Sequence, residues 1–354
     1  MPIRGGSTNP QHAPYRIAIG GIFGHVAAFL ILWGVVTGAE SVPGGGSLVM
    51  YAQEPSLKLQ AIVKAKRLDL HRNEEGVITK AYFQGSDEEF SEVCKVATLE
   101  ELWCLFTSKV SDKGIVEVAR LKKLRSLHVA DTLITGSGIA AMGPLPELRE
   151  LACNPKRDVA MAVDAIVVMP QLIKLDMSGS GLSDDDVRSL SGARLLEQIT
   201  LGQVSAITDE ALRDIGKMPN LKKLYVSDNA IGDRACGYIS TCARLQVLAI
   251  GGSQVSDAGV EKLLLCKELE ELNISQTRIT ARSLALLCGL RELRDLGVAD
   301  DKLGDEIVSQ VSKMRKLESL DCSGNLLSAK AIADLAGSRR WEYFSPGSSE
   351  QAGR

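Results

Sequence analysis

The segment from Leu221 to Asp233, L-K-K-L-Y-V-S-D-N-A-I-G-D, restricts the possible folds of this chain more than any other part of it. Apolar residues stand at its first, fourth and sixth positions, and Asn229 stands at the ninth. The first leucine recurs at positions 99, 124, 148, 172, 196, 221, 245, 269, 293 and 317, in steps of 24 or 25 residues. A period of this length indicates one supersecondary unit that is repeated and stacked.

Each repeat combines a strand pattern with a helix pattern. The first, fourth and sixth positions, such as Leu245, Leu248 and Ile250, predict a short strand with these side chains inward. Apolar residues three apart, such as Val260 and Leu263, predict one face of a short helix. Strands pack about 4.8 Å apart, whereas helices need about 8–10 Å. We therefore predict an α/β solenoid, a curved horseshoe with a concave parallel β-sheet and short helices on its convex side.

The ninth position is polar in most repeats, as at Ser180, Thr277 and Asn325. Together with the strand pattern, this column resembles the signature L-x-x-L-x-L-x-x-N of the leucine-rich repeat family, kept most literally at Leu221 to Asn229. The resemblance covers about 270 of the 354 residues. Within the family, the repeats are similar to the cysteine-containing or bacterial-type subclass. It implies that the ninth side chain hydrogen-bonds the backbone of the turn after the strand.

The sequence around the repeats predicts a division into six parts. They are a polar tail (1–16), a transmembrane anchor or signal peptide (17–37), a flexible linker (38–57), an N-terminal cap with a degenerate first repeat (58–98), the repeats with a C-terminal cap (99–346) and a disordered tail (347–354). The linker is indicated by Pro43 and the three glycines after it.

The segment from Ile17 to Thr37 carries no formal charge and, as a helix, spans roughly 30 Å, the thickness of a bilayer's hydrocarbon core. Arg4 and Arg16 precede it, so the positive-inside tendency places the N-terminus in the cytoplasm and the repeats outside. Gly20 and Gly24 form a G-x-x-x-G pair through which two such helices can self-associate.

Two other interpretations of this segment stay open. A signal peptide cleaved near Ala39 would give a secreted protein, since Thr37-Gly38-Ala39 offers small residues to a peptidase. The apolar core of a signal peptide is usually about 7–15 residues, shorter than this one. A buried helix of a soluble protein is the third interpretation. The length favours the uncleaved anchor.

The N-terminal end of a repeat stack needs a cover, because an open end exposes apolar core. Residues 67–70 and 77–83 predict two strands joined by a polar turn, and this hairpin can provide the cover. Ile78, Ala81 and Phe83 keep the 1, 4, 6 spacing, so the degenerate first repeat begins there.

Aromatic residues stand at the C-terminal end of the repeat stack. Trp341 and Phe344 fall on the first two inward positions of a last strand, which no helix follows. We expect these large rings to cover the last repeat. The tail from Gly347 to Arg354 is expected to be disordered.

Composition argues against several kinds of function. A net charge of −3 gives no basic surface, so nucleic acid is not expected as a partner. The eight cysteines include no C-x-x-C pair and only four histidines accompany them, so we expect no zinc site and no cofactor. Most cysteines stand at inward positions, as Cys104, Cys153 and Cys322 do, where cysteine packs as a small hydrophobic residue.

Catalytic motifs are absent from the sequence as well. It contains neither a G-x-x-x-x-G-K-[ST] phosphate-binding loop nor a G-x-S-x-G nucleophile elbow. We expect no serine or cysteine near His128 in the geometry of a nucleophile, and we therefore expect no enzymatic activity.

The third and fifth positions of each strand face the concave surface. Three fifth positions carry rings, namely Trp103, His128 and Tyr225, and rings on a rigid sheet can act as binding anchors. Asp176 and Asn273 stand in the same row and are also predicted to bind a protein. The alternative is that these are ordinary isolated surface residues.

The third repeat departs from the pattern. Lys156 occupies its ninth position, Arg157 follows, and Asp158 stands where other repeats have an inward aliphatic residue. Irregular charged loops often carry recognition, so Lys156 and Arg157 join the candidate protein-binding residues. Simple decay of one repeat is the alternative explanation.

These observations favour a membrane-anchored, non-catalytic scaffold that binds a protein or peptide ligand through its concave face. The alternative is an intracellular adaptor resembling the substrate-recognition repeats of ubiquitin-ligase subunits. That function requires a helical adaptor-binding module before Leu99, where the sequence has a hydrophobic segment instead.

Overall fold

The computed structural model describes residues 55–104, 108–204 and 206–347. These residues belong to the second of the two units into which the chain divides, Met50–Arg354, the first being Met1–Val49. They form one sheet in which the strands follow each other in chain order. The first pair is antiparallel and every later pair is parallel. The predicted α/β solenoid is therefore confirmed.

Three residues are enough for most strands because each crosses the solenoid only once per repeat. The strands are β1 (Leu68–Arg72), β2 (Ile78–Phe83), β3 (Glu101–Cys104), β4 (Ser126–His128), β5 (Glu150–Ala152), β6 (Lys174–Asp176), β7 (Gln198–Thr200), β8 (Lys223–Tyr225), β9 (Val247–Ala249), β10 (Glu271–Asn273), β11 (Asp295–Gly297), β12 (Ser319–Asp321) and β13 (Tyr343–Ser345).

Short helices return the chain to the next strand. They are α1 (Leu57–Lys64), α2 (Asp87–Val93), α3 (Asp112–Ile115), α4 (Gly136–Ala141), α5 (Val159–Val167), α6 (Asp184–Leu190), α7 (Asp233–Ile239), α8 (Asp257–Leu263), α9 (Ala281–Leu287), α10 (Glu306–Val311) and α11 (Ala329–Ser338). The 3₁₀ segment Val116–Arg120 follows α3 between β3 and β4, and two more, Asp209–Leu212 and Ile215–Lys217, connect β7 to β8 in place of an α-helix.

In the part of the chain that the structure describes, no helix has the length and apolarity needed to cross a bilayer. The predicted anchor, Ile17 to Thr37, and its Gly20 and Gly24 pair lie outside the described residues. Most of the predicted linker and tail does so too. Helix α1 begins at Leu57, and the hydroxyl of Ser56 accepts a hydrogen bond from the Leu59 N–H as its N-cap.

The N-terminal hairpin is confirmed by the antiparallel pairing of β1 with β2. Ile78, Ala81 and Phe83 point into the core as predicted, and β2 pairs in parallel with β3. Helix α1 adds a cover that the sequence analysis did not predict, with Leu59 and Ile62 buried.

The core is one continuous apolar cluster that runs through all repeats. Inward strand positions are filled as predicted, and Leu224 at the centre of β8 is 0% exposed. In two late repeats the buried helix position moves by one residue, to Ile307 and Ala331, while Val308 and Ile332 are only partly buried. The solenoid therefore depends on stacking, since no repeat buries both of its faces alone.

Seven of the eight cysteines are buried and Cys288 is half-buried. Burial raises the pKa of the Cys266 thiol to about 11 and that of Cys242 to about 12, so these thiols stay protonated at neutral pH. Cys94 is buried in the core too, and Cys288 donates to the Leu284 carbonyl at 3.4 Å. The cysteines of the repeats therefore pack as small hydrophobic residues.

At the ninth position Asn229 and Asn325 make the bonds that the family resemblance implies, whereas the buried hydroxyls of Ser180 and Ser253 have no hydrogen-bond partner among the described residues. Asn229 donates to the carbonyls of Leu201 and Val226 at 2.7 and 2.8 Å and accepts from the Val204 N–H at 2.8 Å. Asn325, in the repeat closest to the C-terminal cap, makes the same bonds and donates to the carbonyls of Val298 and Cys322. Each asparagine thus satisfies backbone groups of its own repeat and of the preceding one.

A second ladder joins the helix starts of neighbouring repeats. The carboxylate of Asp233 accepts from the backbone N–H and the hydroxyl of Ser256, both at 2.7 Å. The same two bonds join Asp87 to Ser111 and Asp305 to Ser328. We call these residues the aspartate ladder; its members are Asp87, Asp112, Asp184, Asp209, Asp233, Asp257 and Asp305.

The C-terminal cover is built as predicted, with an additional arginine. Trp341 and Phe344 stack with ring centroids 5.4 Å apart and pack against the core. The Arg339 guanidinium donates to the carbonyls of Val311, Met314 and Leu317, which end the preceding repeat. The two rings therefore cover the apolar face of the last repeat, and the guanidinium pairs with the carbonyls that end the repeat before it.

Truncation at the centre of the frame gives the first test of this packing. Replacing Leu224 by Ala removes a fully buried side chain, so the free energy of unfolding should fall by about 2–5 kcal/mol. Lys223→Ala, on the open face of the same strand, should change it by less than about 0.5 kcal/mol. Guanidinium denaturation of both variants measures the difference, and equal effects would place Leu224 outside the core.

Asp301 provides a test based on pH. It occupies the ninth position with 7% exposure; its Oδ1 accepts from the Thr277 N–H, but no described group pairs with its Oδ2. Burial raises its pKa to about 6. Between about pH 4 and 6 the folded state holds a proton that the unfolded chain has released, so stability falls as pH rises through this window.

Asp301→Asn should remove that fall, because an amide can donate where Asn325 and Asn229 do. We expect the variant to be about 1 kcal/mol more stable than the parent at pH 8 and similar to it at pH 4. Thermal unfolding at both pH values measures this. Asp300→Asn is the matched control at an exposed neighbour, and a variant at Asp301 no more stable than the parent at pH 8 would contradict the assignment.

Candidate binding surface

The pairing register places the third and fifth residues of successive strands side by side on the open face of the sheet. Tyr82 pairs with Trp103, Trp103 with His128, and His128 with Ala152. Because side chains alternate along a strand, these residues share the face opposite the core. Strands are narrower than helices, so this face is the concave one.

Four rings on this face form a continuous row at the N-terminal end. His71 meets Tyr82 edge-on at 5.4 Å between centroids, and Tyr82 lies 6.0 Å from Trp103. Trp103 and His128 are stacked face to face, with centroids 3.4 Å apart and an angle of 7° between their planes. We call these four residues the ring row. The 3.4 Å separation is shorter than the strand spacing, so these two rings lean towards each other.

A lysine and a glutamate flank the ring row. The Lys80 ammonium lies 5.1 Å from the Tyr82 centroid and 5.8 Å from that of Trp103, within reach of a cation–π interaction. It also pairs with Glu101 at 2.7 Å. The row thus presents ring edges and a fixed charge pair to solvent.

His128 is only 16% exposed in its side chain. Burial lowers its pKa to about 4; Glu101 opposes this shift, while Lys80 and Lys174 add to it. The imidazole is therefore neutral at physiological pH, and its stacking on Trp103 involves no buried charge.

We expected no serine near His128 in the geometry of a nucleophile, and Ser126 does lie within hydrogen-bond distance of it. The Ser126 hydroxyl is 3.0 Å from His128 Nε2, because residues two apart on one strand share a face. Glu150 approaches the same nitrogen at 3.8 Å rather than Nδ1, so the three groups do not form the relay in which a carboxylate orients the opposite nitrogen. A histidine with a pKa of about 4 is also a weak general base.

A shallow cleft adjoins the ring row along the third-position side chains. Its volume is about 310 Å³, at the lower end of the range of small-molecule sites. Both signs of charge line it, from Glu101 and Glu150 to Arg149 and Lys174. The Lys174 ammonium lies 3.8 Å from the Glu150 carboxylate, an exposed pair of little strength.

The structure brings together two of the predicted binding residues, Trp103 and His128, and separates the others. Tyr225 lies four strands beyond β4, about 19 Å along the sheet at the usual strand spacing. Burial raises the pKa of its phenol to about 12. Asp176 and Asn273 each accept from a backbone N–H two residues later, at 2.9 Å, on the same face as Tyr225.

Lys156 and Arg157 are exposed, and they lie in the loop after β5 rather than on the sheet. Asp158 does not occupy the inward position assigned to it from the sequence. It is exposed and adopts a left-handed conformation (φ 54°), which advances the chain by one residue so that Val159, 8% exposed, fills the core position. The third repeat is thus irregular in its turn and intact in its core.

Lys80, Tyr82 and His71 are not among the residues predicted from the sequence. Lys80 and Tyr82 occupy the third and fifth positions of the degenerate first repeat, whose inward frame of Ile78, Ala81 and Phe83 had been recognised. Extending the concave row by that one repeat would have identified them. His71 could not be placed from the frame, because β1 belongs to the antiparallel hairpin.

Comparison with known proteins agrees with this architecture. Residues 217–240 match the leucine-rich repeat family model. The crystal structure of an internalin (inlF) from Listeria monocytogenes matches with a TM-score of 0.54 at 18% identity, over 82% of this chain and 95% of the internalin chain. An internalin C2 (inlC2) from that organism covers 82% of this chain and 93% of its own at 17% identity, with a TM-score of 0.38, too low to support comparison of folds. No curated protein matches the sequence.

The continuous parallel sheet, its two hydrogen-bonded ladders and its open ring-bearing face define a repeat solenoid suited to protein–protein interaction. The fold of the described residues is that of the internalin structure, and residues 217–240 are similar to the leucine-rich repeat family.

The stacked pair predicts a change in proton affinity. Trp103→Ala should expose one face of His128 to water and raise its pKa by at least about one unit, from about 4 towards 6.5. Titration of ¹³Cε1-labelled histidine by NMR measures this value. Tyr225→Ala, on the same face but remote, should leave it unchanged, and an unaltered pKa in Trp103→Ala would show that the ring stack does not shield His128.

Proposed function

We propose that this protein is a membrane-anchored, non-catalytic scaffold that binds a protein or peptide ligand through the concave face of its repeats. The ring row carries this proposal. Aromatic side chains bury about 150–250 Å² each and dominate the energetics of interfaces. Four of them in contact on a rigid sheet give an anchor site that needs no rearrangement.

The ring row is also pre-organised. Trp103 lies between Tyr82 and His128, and the Ser126 hydroxyl holds the imidazole from the side. Binding to side chains that already occupy one rotamer costs less conformational entropy than ordering mobile ones. The site thus has the rigidity of a recognition surface.

The indole N–H of Trp103 supports a role beyond stability. It is buried and has no hydrogen-bond partner among the described residues. Leaving a buried donor unpaired costs about 1–3 kcal/mol. Sites that break such a local rule are commonly functional ones.

The membrane part of the proposal rests on the 21 uncharged residues from Ile17 to Thr37. Their length matches a hydrocarbon core, and the two preceding arginines favour a cytoplasmic N-terminus. The repeats would then face the outside, joined to the anchor by the glycine-rich linker.

Binding through the concave face can be tested with a photo-crosslinker introduced at Tyr82 to identify the ligand. Trp103→Ala should then weaken the affinity for that ligand at least about tenfold, and Tyr225→Ala should weaken it as well, with thermal unfolding nearly unchanged. Leu265→Ala is the control, because Leu265 is an exposed apolar residue in the loop after α8. Equal affinities for all variants would disprove concave-face binding.

The proposed orientation across the membrane can be tested separately. Protease added to intact cells that express the protein should cleave the repeats without prior permeabilisation. Cleavage that requires the reagent to reach the cytoplasm would instead favour the adaptor function. A tag at the N-terminus, protected until permeabilisation, provides the internal control, and loss of this tag from the mature protein would indicate cleavage near Ala39.

A further inference from the structure

Among the residues that the structure describes, nothing pairs with the outer edge of β1. This strand stands first in the sheet and pairs only with β2. An end strand presents a row of unpaired backbone N–H and C=O groups, which makes it a template for a further strand. The strand at the other end, β13, has three residues and no charged side chain, whereas β1 has five residues, three of them ionisable.

The hydrogen bonds of the hairpin show which residues of β1 face outwards. The Gln84 N–H donates to the Arg67 carbonyl at 2.8 Å, and the Asn73 N–H donates to the Val77 carbonyl at 2.9 Å. Bonded and non-bonded pairs alternate along an antiparallel ladder, and the extra residue of the hairpin's register shift lies on β2. The residues of β1 whose backbone groups point away from β2 are therefore Leu68, Leu70 and Arg72.

A second copy of β1 matches this edge in antiparallel orientation. A two-fold axis through Leu70 sets this residue opposite itself and sets Leu68 opposite Arg72 of the second copy. These are the outward-facing residues, so all three pairs can exchange backbone hydrogen bonds. Asp69 then stands opposite His71 of the second copy in a non-hydrogen-bonded pair, the kind in which side chains lie closest.

The side chains of this pair are complementary. Asp69 and His71 lie on the concave face, where they pair with Tyr82 and Lys80 of β2, and their side chains are 71% and 52% exposed. Within one chain, His71 Nε2 lies 3.0 Å from Asp69 Oδ2. An imidazole N–H donates to a carboxylate. The two-fold axis therefore places a carboxylate on both sides of each imidazole.

The charges beyond the two ends of β1 are complementary as well. The turn after it carries Glu74 and Glu75, which are exposed and form no ion pair with another described residue. The segment before it carries Lys64 and Lys66. Antiparallel pairing sets the turn of each copy against the basic segment of the other, since Glu74 and Lys66 are equally distant in sequence from the centre of β1. A parallel pairing would set like charges side by side, which is unfavourable.

We propose that two copies of this protein associate through β1, so that their sheets join edge to edge about a two-fold axis. The two concave faces then lie on the same side of the joined sheet, and the two ring rows, each ending in His71, meet at the axis. Leu57, on the side of α1 opposite the buried Leu59 and Ile62, is an 84% exposed apolar residue at this end of the stack. This association does not depend on ligand binding by the concave face.

The register can be tested by cysteine cross-linking of the full-length protein in detergent micelles. Asp69→Cys protein is mixed with His71→Cys protein that carries a mass-shifting tag. Residues of a non-hydrogen-bonded pair have Cα atoms about 4.5 Å apart, within the range of a disulfide. Two copies of residue 69 are diagonal neighbours about 7–8 Å apart. Under mild oxidation we expect at least about tenfold more of the mixed dimer than of either variant's dimer with itself.

Two controls accompany this cross-link. The parent protein gives the background from its eight cysteines, of which seven are buried. Thr200→Cys, on the same face but on β7, should form no mixed dimer with His71→Cys above that background. A mixed dimer at background level for Asp69→Cys with His71→Cys, or equal cross-linking of both mixtures, would overturn the proposal.

Charge reversal gives a second measurement, which needs no cysteine. Glu74→Lys with Glu75→Lys should weaken association at least about tenfold in sedimentation equilibrium, because like charges then meet at both ends of β1. Lys64→Glu with Lys66→Glu should weaken it similarly. An equimolar mixture of the two double variants should recover the affinity of the parent, since every end contact then joins opposite charges.

The sedimentation measurements use a Gly20→Leu, Gly24→Leu background, which removes association through the predicted anchor and leaves only that of the repeats. Glu268→Lys, exposed in the loop after α8, should leave the affinity unchanged. A protein that stays monomeric in this background, or a mixture of the double variants that recovers no affinity, would overturn the proposal.

Discussion

Contact between neighbouring repeats is the constraint on which the rest of the structure depends. A strand of three residues and a helix of about two turns cannot bury two apolar faces alone. The continuous core, the asparagine bonds between Asn229 and Leu201, and the aspartate ladder all act between repeats. The different widths of strand and helix then bend the stack and leave one sheet face open.

That open face explains why rings can lie in direct contact. Adjacent strands are about 4.8 Å apart; on this face the rings of Tyr82 and Trp103 lie 6.0 Å apart and those of Trp103 and His128 lie 3.4 Å apart. Burial lowers the pKa of His128 and keeps it neutral, and the hydroxyl of Ser126 lies 3.0 Å from its ring nitrogen. Curvature and recognition chemistry are therefore consequences of the same packing.

The sequence predicted the solenoid, its strand and helix columns and both caps, because a 24-residue period forces each column into one environment. It also placed Trp103 and His128 on the open face of the sheet, in the same row. Their stacking, the contact of His128 with Ser126 and the raised pKa of Asp301 depend on distances of a few ångströms that the frame does not specify. The conformation of Asp158 was missed because a left-handed residue shifts the frame locally without changing the period.

The aspartate ladder is discontinuous, and this has a mechanical consequence. Ladder bonds join successive helix starts up to Thr135 and again from Asp184 to Thr280, each with a hydroxyl except at Asp209, which accepts from the Gly232 N–H. Between them the described chain has Gly136 at the ladder position, and Ala281 stands at a second interruption before Asp305. Fewer side-chain bonds therefore resist the separation of neighbouring repeats at these interruptions, and the ring row lies wholly before the first of them.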